Sequence, residues 1–145
     1  MKLSAYHKSQ GDVVYFEKSI HRGLFEPEYD IVYGSSIFTS SKQKINLFSN
    51  NFPGAIIGGT GTNSMLTIEE FLGIEEFENY DYEIYPNFQN SIGFTQRGCR
   101  LKCKFCVVPI KEGKNKSLNS IHKIWRGDGY PKNILLDRKS TRLNS

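Results

Sequence analysis

Residues 91–114 read SIGFTQRGCRLKCKFCVVPIKEGK, and everything else in the chain is placed by how this stretch is read. It holds all three cysteines, Cys99, Cys103 and Cys106, in the spacing C-x3-C-x2-C. Three thiols within eight residues make no disulfide framework, which needs an even number spread along the chain. Thiols clustered in a reducing compartment more often bind metal than stand alone. On a tight loop they suit three irons of a [4Fe–4S] cluster and leave the fourth iron open to a small molecule. Arg100, Lys102 and Lys104 set positive charge among the thiols, which favours thiolate and therefore ligation. Gly98 lets the backbone come close to a cluster. Other readings stay open on the residues alone. Structural zinc would pair two C-x2-C knuckles or recruit a fourth ligand, here His122 or His7. A ferredoxin-type site needs four cysteines in a different order. Three unliganded thiols are the remaining alternative.

Working outward, residues 91–96 (SIGFTQ) have strand composition and lead straight into the cysteine loop. After the loop, Leu118, Ile121, Ile124 and Trp125 fall at helical spacing, which predicts a helix over 117–125 stopped by Gly127. Residues 133–136 (NILL) open another strand. Strand, loop, helix and strand make one βαβ unit, with the thiols at the C-terminal end of its first strand, where α/β folds keep their sites.

Upstream, residues 2–10 predict a short helix with Gly11 as its C′ glycine. Strands are expected over 13–16 (VVYF), 29–33 (YDIVY) and 55–57 (AII), with loop at 21–28 and a short helix within 40–51. Gly58, Gly59 and Gly61 close the third strand and read as a turn, with close approach of a nucleotide-like ligand as the alternative. Thr67 followed by Glu70 is a capping-box signature. This order suggests a doubly wound α/β unit around a parallel sheet. It opens with a helix, so a strand is expected ahead of Met1. His7, His21 and His122 are expected to be solvated or structural, and Lys111 and Lys114 to be surface charges.

Composition narrows the function classes. The 145 residues are 38% hydrophobic and 13% aromatic, which supplies a core and argues against a disordered chain. The net charge of +4 comes from scattered basic residues, so nucleic acid is not indicated as a partner. No apolar run approaches a membrane span, and residues 1–12 lack a signal-peptide stretch. No membrane partner is expected, and a cytoplasmic location is.

The segment GCRLKCKFC resembles the cluster motif of the radical S-adenosylmethionine (radical SAM) superfamily, C-x3-C-x-aromatic-C. The wider stretch 91–114 is similar to a bacterial subgroup with the pattern GF-x-x-RGC…C-x-FC-x-VP-x-KEG. The resemblance implies that Cys99, Cys103 and Cys106 bind a [4Fe–4S] cluster. Its open iron would be chelated by the amino and carboxylate groups of S-adenosylmethionine, with Phe105 near the adenine. It implies one-electron cleavage of that cofactor to a 5′-deoxyadenosyl radical, which abstracts hydrogen from a substrate the sequence does not identify. An electron donor such as flavodoxin or ferredoxin is implied as a partner. Residues 1–80 resemble, more weakly, the cobalamin-binding-like α/β domain that precedes the radical SAM barrel in many members. The D-x-H-x-x-G signature of a cobalamin-ligating histidine is absent, which counts against cobalamin as a cofactor.

Residues 137–145, DRKSTRLNS, match the in-frame translation of a common sequencing adapter at every position. The expected organisation is therefore an incomplete cobalamin-binding-like domain at 1–80 and a linker at 81–90. The first βαβ of a truncated radical SAM partial barrel follows at 91–136, and an adapter-derived tail at 137–145. The tail carries three basic residues against one acidic, so half of the +4 excess belongs to it. On this reading the chain is an enzyme fragment, inactive by itself. The rival class is a non-catalytic iron–sulfur or zinc-binding α/β module.

Overall fold

The structure, a computed structural model, describes residues 1–136 except 63, 65, 66, 75, 76 and 102. Lys102 and the adapter-like tail at 137–145 lie outside the described residues. The chain divides into two compact units, His7–Glu76 and Met1–Tyr6 together with the chain from Phe77 on. Each is a mixed α/β unit with short helices and two-stranded sheets.

In the His7–Glu76 unit, the order is the end of α1 (Lys2–Ser9), β1 (Tyr33–Ser35), α2 (Lys42–Asn51), β2 (Ile56–Gly58) and α3 (Ile68–Leu72). The expected first helix is present, and the chain leaves it at Gly11 with φ +92°, donating to the Lys8 carbonyl at 3.1 Å. β1 and β2 are parallel, with Tyr33 opposite Ile56, Gly34 opposite Ile57 and Ser35 opposite Gly58. α2 lies between them in sequence, preceded by a 3-10 turn at Thr39–Ser41. Gly34 is the contact that lets α2 dock. A Cβ there would stand 2.7 Å from the Phe48 ring. Phe48 in turn packs on Phe52, ring centres 5.1 Å apart, and Phe52 is buried. α3 carries the expected capping box complete. Thr67 Oγ1 accepts from the Glu70 N–H at 3.2 Å, and Glu70 Oε2 accepts from the Thr67 N–H at 2.8 Å. Two orphan donors of a five-residue helix are thus satisfied reciprocally.

Three expectations are corrected in this unit. Residues 13–16 form no strand; no described strand pairs with them, and Val13 stays 79% exposed. A β-branched run has strand propensity only where a partner and a buried face exist. The second strand begins at Tyr33 rather than spanning 29–33, because only the residues facing Ile56–Gly58 find ladder partners. The doubly wound sheet reduces, among the described residues, to the parallel pair β1 and β2.

In the other unit, β3 (Ser91–Gly93) is followed by β4 (Gln96–Arg97), α4 (Val108–Lys111), β5 (Lys116–Ser117), α5 (Ile121–Ile124) and β6 (Ile134–Leu136). β3 and β6 are parallel, with Ser91 opposite Ile134 and Gly93 opposite Leu136, as the βαβ reading expects. The strand expected over 91–96 is broken. After Gly93 the chain leaves the β6 partner, and Gln96 and Arg97 pair antiparallel with Ser117 and Lys116 instead. That second ladder also shortens the helix expected over 117–125. Ser117 is held as strand, Leu118 N–H donates to the Thr95 carbonyl at 3.0 Å, and α5 starts only after Ser120. α5 still covers β3, since a Cβ on Gly93 would lie 2.8 Å from Ile124.

Residues 77–90, read as linker in part, pack on this sheet. Tyr82 Oη accepts from the Ile92 N–H at 2.9 Å and donates to the Ile92 carbonyl at 3.3 Å. The Arg126 guanidinium sits between the rings of Tyr82 and Tyr130, 3.9 and 3.7 Å from their centres. Ser91, fully buried, accepts the Arg126 N–H at 3.0 Å on Oγ. At the N-terminus Lys2 pairs with Glu78 at 2.6 Å, and the buried Ser4 hydroxyl donates to buried Asp81. No described helix is long and apolar enough to cross a membrane.

Candidate metal centre

The cysteine loop is a closed excursion from β4 to β5. Its neck is the two-residue antiparallel ladder, Gln96 opposite Ser117 and Arg97 opposite Lys116. Just inside the neck, Gly98 donates its N–H to Glu112 Oε2 at 2.9 Å, and Cys99 donates to the Gly113 carbonyl at 3.2 Å. Gly98 has φ +79°, and a Cβ on it would stand 2.1 Å from the Lys114 carbonyl oxygen. Only glycine meets both demands, a left-handed backbone and direct backbone contact. The residue expected to give backbone access to a cluster is thus used to cross the two arms of the loop.

Within the loop, Cys99 Sγ accepts the Leu101 N–H at 3.4 Å, and the Cys106 N–H donates to the Cys103 carbonyl at 3.1 Å. The first contact ties the thiol to the backbone two residues on. The second closes a turn over the C-x2-C step. Beyond it α4 starts at Val108 with Pro109 in its first turn, where a missing N–H costs nothing. α4 carries the chain back to Glu112 and Gly113. Cys99 and Cys106 are half-buried and Cys103 is exposed, and all three are free thiols. Phe105, expected near an adenine, is 94% exposed and covers no described group.

The donor chemistry fits a thiolate-bound cluster. Three free thiols share one loop pinned at its neck, with no disulfide competing for them. The described arrangement does not yet gather them. Among the described residues, no three Cys, His, Asp or Glu side chains stand close enough to hold one metal ion. Ligation of one metal by all three therefore requires the thiols to come closer together than they stand here.

The histidines supply no such ligand group. His7 Nδ1 lies 2.7 Å from Asp12 Oδ2 and its Nε2 lies 3.0 Å from Tyr33 Oη, so both ring nitrogens are engaged inside the first-described unit. His21 and His122 are exposed. Gly59 and Gly61 serve the turn rather than a ligand. Their Cβ positions would fall 2.1 Å from the Ser36 carbonyl oxygen and 2.6 Å from that of Phe38. Ser36 N–H donates to the Gly58 carbonyl at 2.9 Å and Gly61 N–H to the Ser36 carbonyl at 3.0 Å, filling the space with backbone. Lys114 is exposed, as expected of a surface charge, while Lys111 is half-buried at the end of α4.

Sequence reasoning left out Glu112 as a positioning residue. Its signal was present, an acid directly before the glycine that ends the KEG run. An acid there has the first loop amides within reach once the loop returns on itself. Set against known proteins, the chain matches no family model, no curated protein and no solved structure.

Proposed function

We propose that residues 91–136 are the cluster-binding segment of a radical SAM enzyme, in the first βαβ of a partial barrel. The observation that carries this reading is the C-x3-C-x2-C loop, with Phe105 before its last thiol, carried on the antiparallel ladder that follows the parallel pair β3–β6 and held at its neck by Gly98, Glu112 and Gly113. A short loop whose two ends are held by that ladder can close around a cluster without disturbing the parallel pair. On this reading, a reduced cluster held by Cys99, Cys103 and Cys106 supplies the electron that cleaves S-adenosylmethionine. This chain's own residues fix the loop ends and place Phe105 directly before the last ligand in the chain. Residues 1–80 belong, in the same proposal, to a cobalamin-binding-like domain without an evident cobalamin ligand.

The test is anaerobic reconstitution with iron and sulfide, followed by metal analysis and EPR of the dithionite-reduced protein with and without S-adenosylmethionine. The expected result is about four irons per chain, as one [4Fe–4S] cluster requires, and a spectrum that changes on adding the cofactor. Cys99→Ser, Cys103→Ser and Cys106→Ser each lower the iron content severely. Bound zinc in place of iron, or full iron content in the three serine variants, overturns the reading.

A further inference from the structure

The three thiols of the loop are not alike. Cys99 stands at the neck, its N–H spent on the Gly113 carbonyl and its sulfur on the Leu101 N–H. Cys103 and Cys106 are instead the two ends of one turn. The Cys106 N–H donates to the Cys103 carbonyl at 3.1 Å, with Lys104 and Phe105 exposed between them. A hydrogen-bonded turn of four residues holds its end Cα atoms within about 7 Å of each other. A disulfide spans Cα atoms about 4.4–6.8 Å apart. The backbone of this turn therefore already stands near the span that a Cys103–Cys106 bridge needs. Among the described residues, no hydrogen-bonded turn joins Cys99 to either of the other two. Access selects the same pair, because Cys103 is exposed and Cys106 half-buried. An exposed thiol is open to a small oxidant, and a second thiol one turn on resolves the adduct.

We infer that Cys103 and Cys106 are a redox-responsive dithiol that closes to a disulfide within the loop, the oxidant being the disulfide of a small thiol such as glutathione. The Cys103 thiolate attacks one sulfur of the oxidant, whose S–S bond breaks and releases the first small thiolate. The Cys106 thiolate then attacks the Cys103 sulfur, the mixed disulfide breaks, and the second small thiolate leaves. Two electrons pass from the cysteines to the oxidant, and the two cysteine protons end on the released thiols. In a reducing compartment such a bridge is transient and senses redox state rather than stapling the fold. The bridge itself needs no metal. What it does rests on the cluster reading: a bridged loop withdraws two of the three sulfur ligands, and the cluster is excluded until a thiol reduces the bridge.

The three cysteines fall in separate tryptic peptides, 98–100, 103–104 and 105–111, so any bridge is assignable by mass. The experiment exposes the metal-free full chain to glutathione disulfide, blocks the remaining thiols with N-ethylmaleimide and maps the digest. Free thiols are expected to fall from three to one per chain, with 103–104 linked to 105–111 and Cys99 blocked, and to return to three on adding dithiothreitol. Cys99→Ser forms the same bridge, whereas Cys106→Ser stops at the mixed disulfide of Cys103 with glutathione. Bridges that use Cys99 as often as the turn pair, glutathione on all three thiols with no bridge, or no loss of thiols overturns the inference. Iron loading of the reduced chain is read separately. A chain that bridges but takes up no iron sinks the cluster reading and leaves the dithiol standing. A chain that loads iron but does not bridge sinks the dithiol alone.

Discussion

The two parallel strand pairs are built alike and finished differently. β1 and β2 end side by side at Ser35 and Gly58, and the chain beyond them closes at once. Gly59 and Gly61 press against the carbonyls of Ser36 and Phe38, so backbone fills the space where α/β folds usually receive a ligand. β3 also pairs in parallel, with β6, but the chain beyond it runs into β4 and out into the thiol loop. There the glycine contact is at the neck, Gly98 on Lys114, and Leu101, Cys103, Lys104 and Phe105 beyond it are exposed. The same device, a glycine too crowded for any side chain, seals one edge and frames an opening at the other. A parallel pair by itself therefore does not mark a site; what its C-terminal loops do with their backbone decides.

The sharpest way to break this comparison is to add one methyl group at each end. Gly59→Ala would force a Cβ to 2.1 Å from the Ser36 oxygen at φ +103°, and Gly98→Ala would do the same against Lys114 at φ +79°. Backbone strain and overpacking together cost on the order of 2–4 kcal/mol. Urea unfolding should show that loss for both. Only Gly98→Ala should also lower iron uptake on reconstitution, while Gly59→Ala leaves it intact in the folded fraction. Gly113→Ala is the control, with positive φ but nothing within 4 Å, and should cost only the strain, about 1 kcal/mol. Equal losses at Gly98 and Gly113 would show that conformation alone, and not the crossing of the loop arms, fixes the neck.

Much of this was legible in the sequence where one local rule sufficed. The capping box of Thr67 and Glu70, the helix stop at Gly11 and the strands expected at 55–57 and 133–136 follow from nearby residues and are found within a residue or so of those bounds. The misses share a cause. Residues 13–16 have the composition of a strand and no neighbour to pair with, and strand formation is a property of two segments. The break of the strand at Phe94 and Thr95 and the late start of α5 come from one ladder between residues about twenty apart, a contact no window of local periodicity reports. At the site, the thiol spacing was legible in full, but its closure by Glu112 depends on the loop returning to its own start.

A smaller effect separates local from tertiary order. Thr67→Ala removes the oxygen that accepts the Glu70 N–H and frees the Glu70 carboxylate from its partner hydroxyl. The helix it caps is only five residues long, so loss of the cap, about 1 kcal/mol, should fray α3 and leave β1 and β2 paired. Hydrogen exchange at Glu70 and Phe71 should quicken well before that of Ile56 and Ile57. Simultaneous loss of protection at all four would make α3 part of the same cooperative unit as the sheet.

The finest comparison sets one tyrosine–glutamate contact in each unit against the other. Tyr80 donates to Glu78 at 2.9 Å and Tyr29 to Glu26 at 3.0 Å. Both hydroxyls are pushed above the ordinary tyrosine range, first by desolvation and then by the acid that accepts their proton. A hydroxyl whose proton is held more tightly in the folded chain contributes stability that is complete below the unfolded value near pH 10. That contribution is lost as pH rises beyond it. Only Tyr80 is anchored tertiarily, because its Glu78 partner is itself tied to Lys2 on α1; the Tyr29 contact spans three residues of an irregular segment. Tyr80→Phe should therefore lower stability at pH 8 by about 1 kcal/mol, with the difference from the unaltered chain holding to about pH 10 and shrinking as pH rises above it. Tyr29→Phe should change neither the stability nor its alkaline slope measurably. Thermal unfolding across that pH range reads both, and a Tyr80→Phe deficit that stays constant with pH would mean that the ring's packing, and not its hydroxyl, holds residues 77–82 in place.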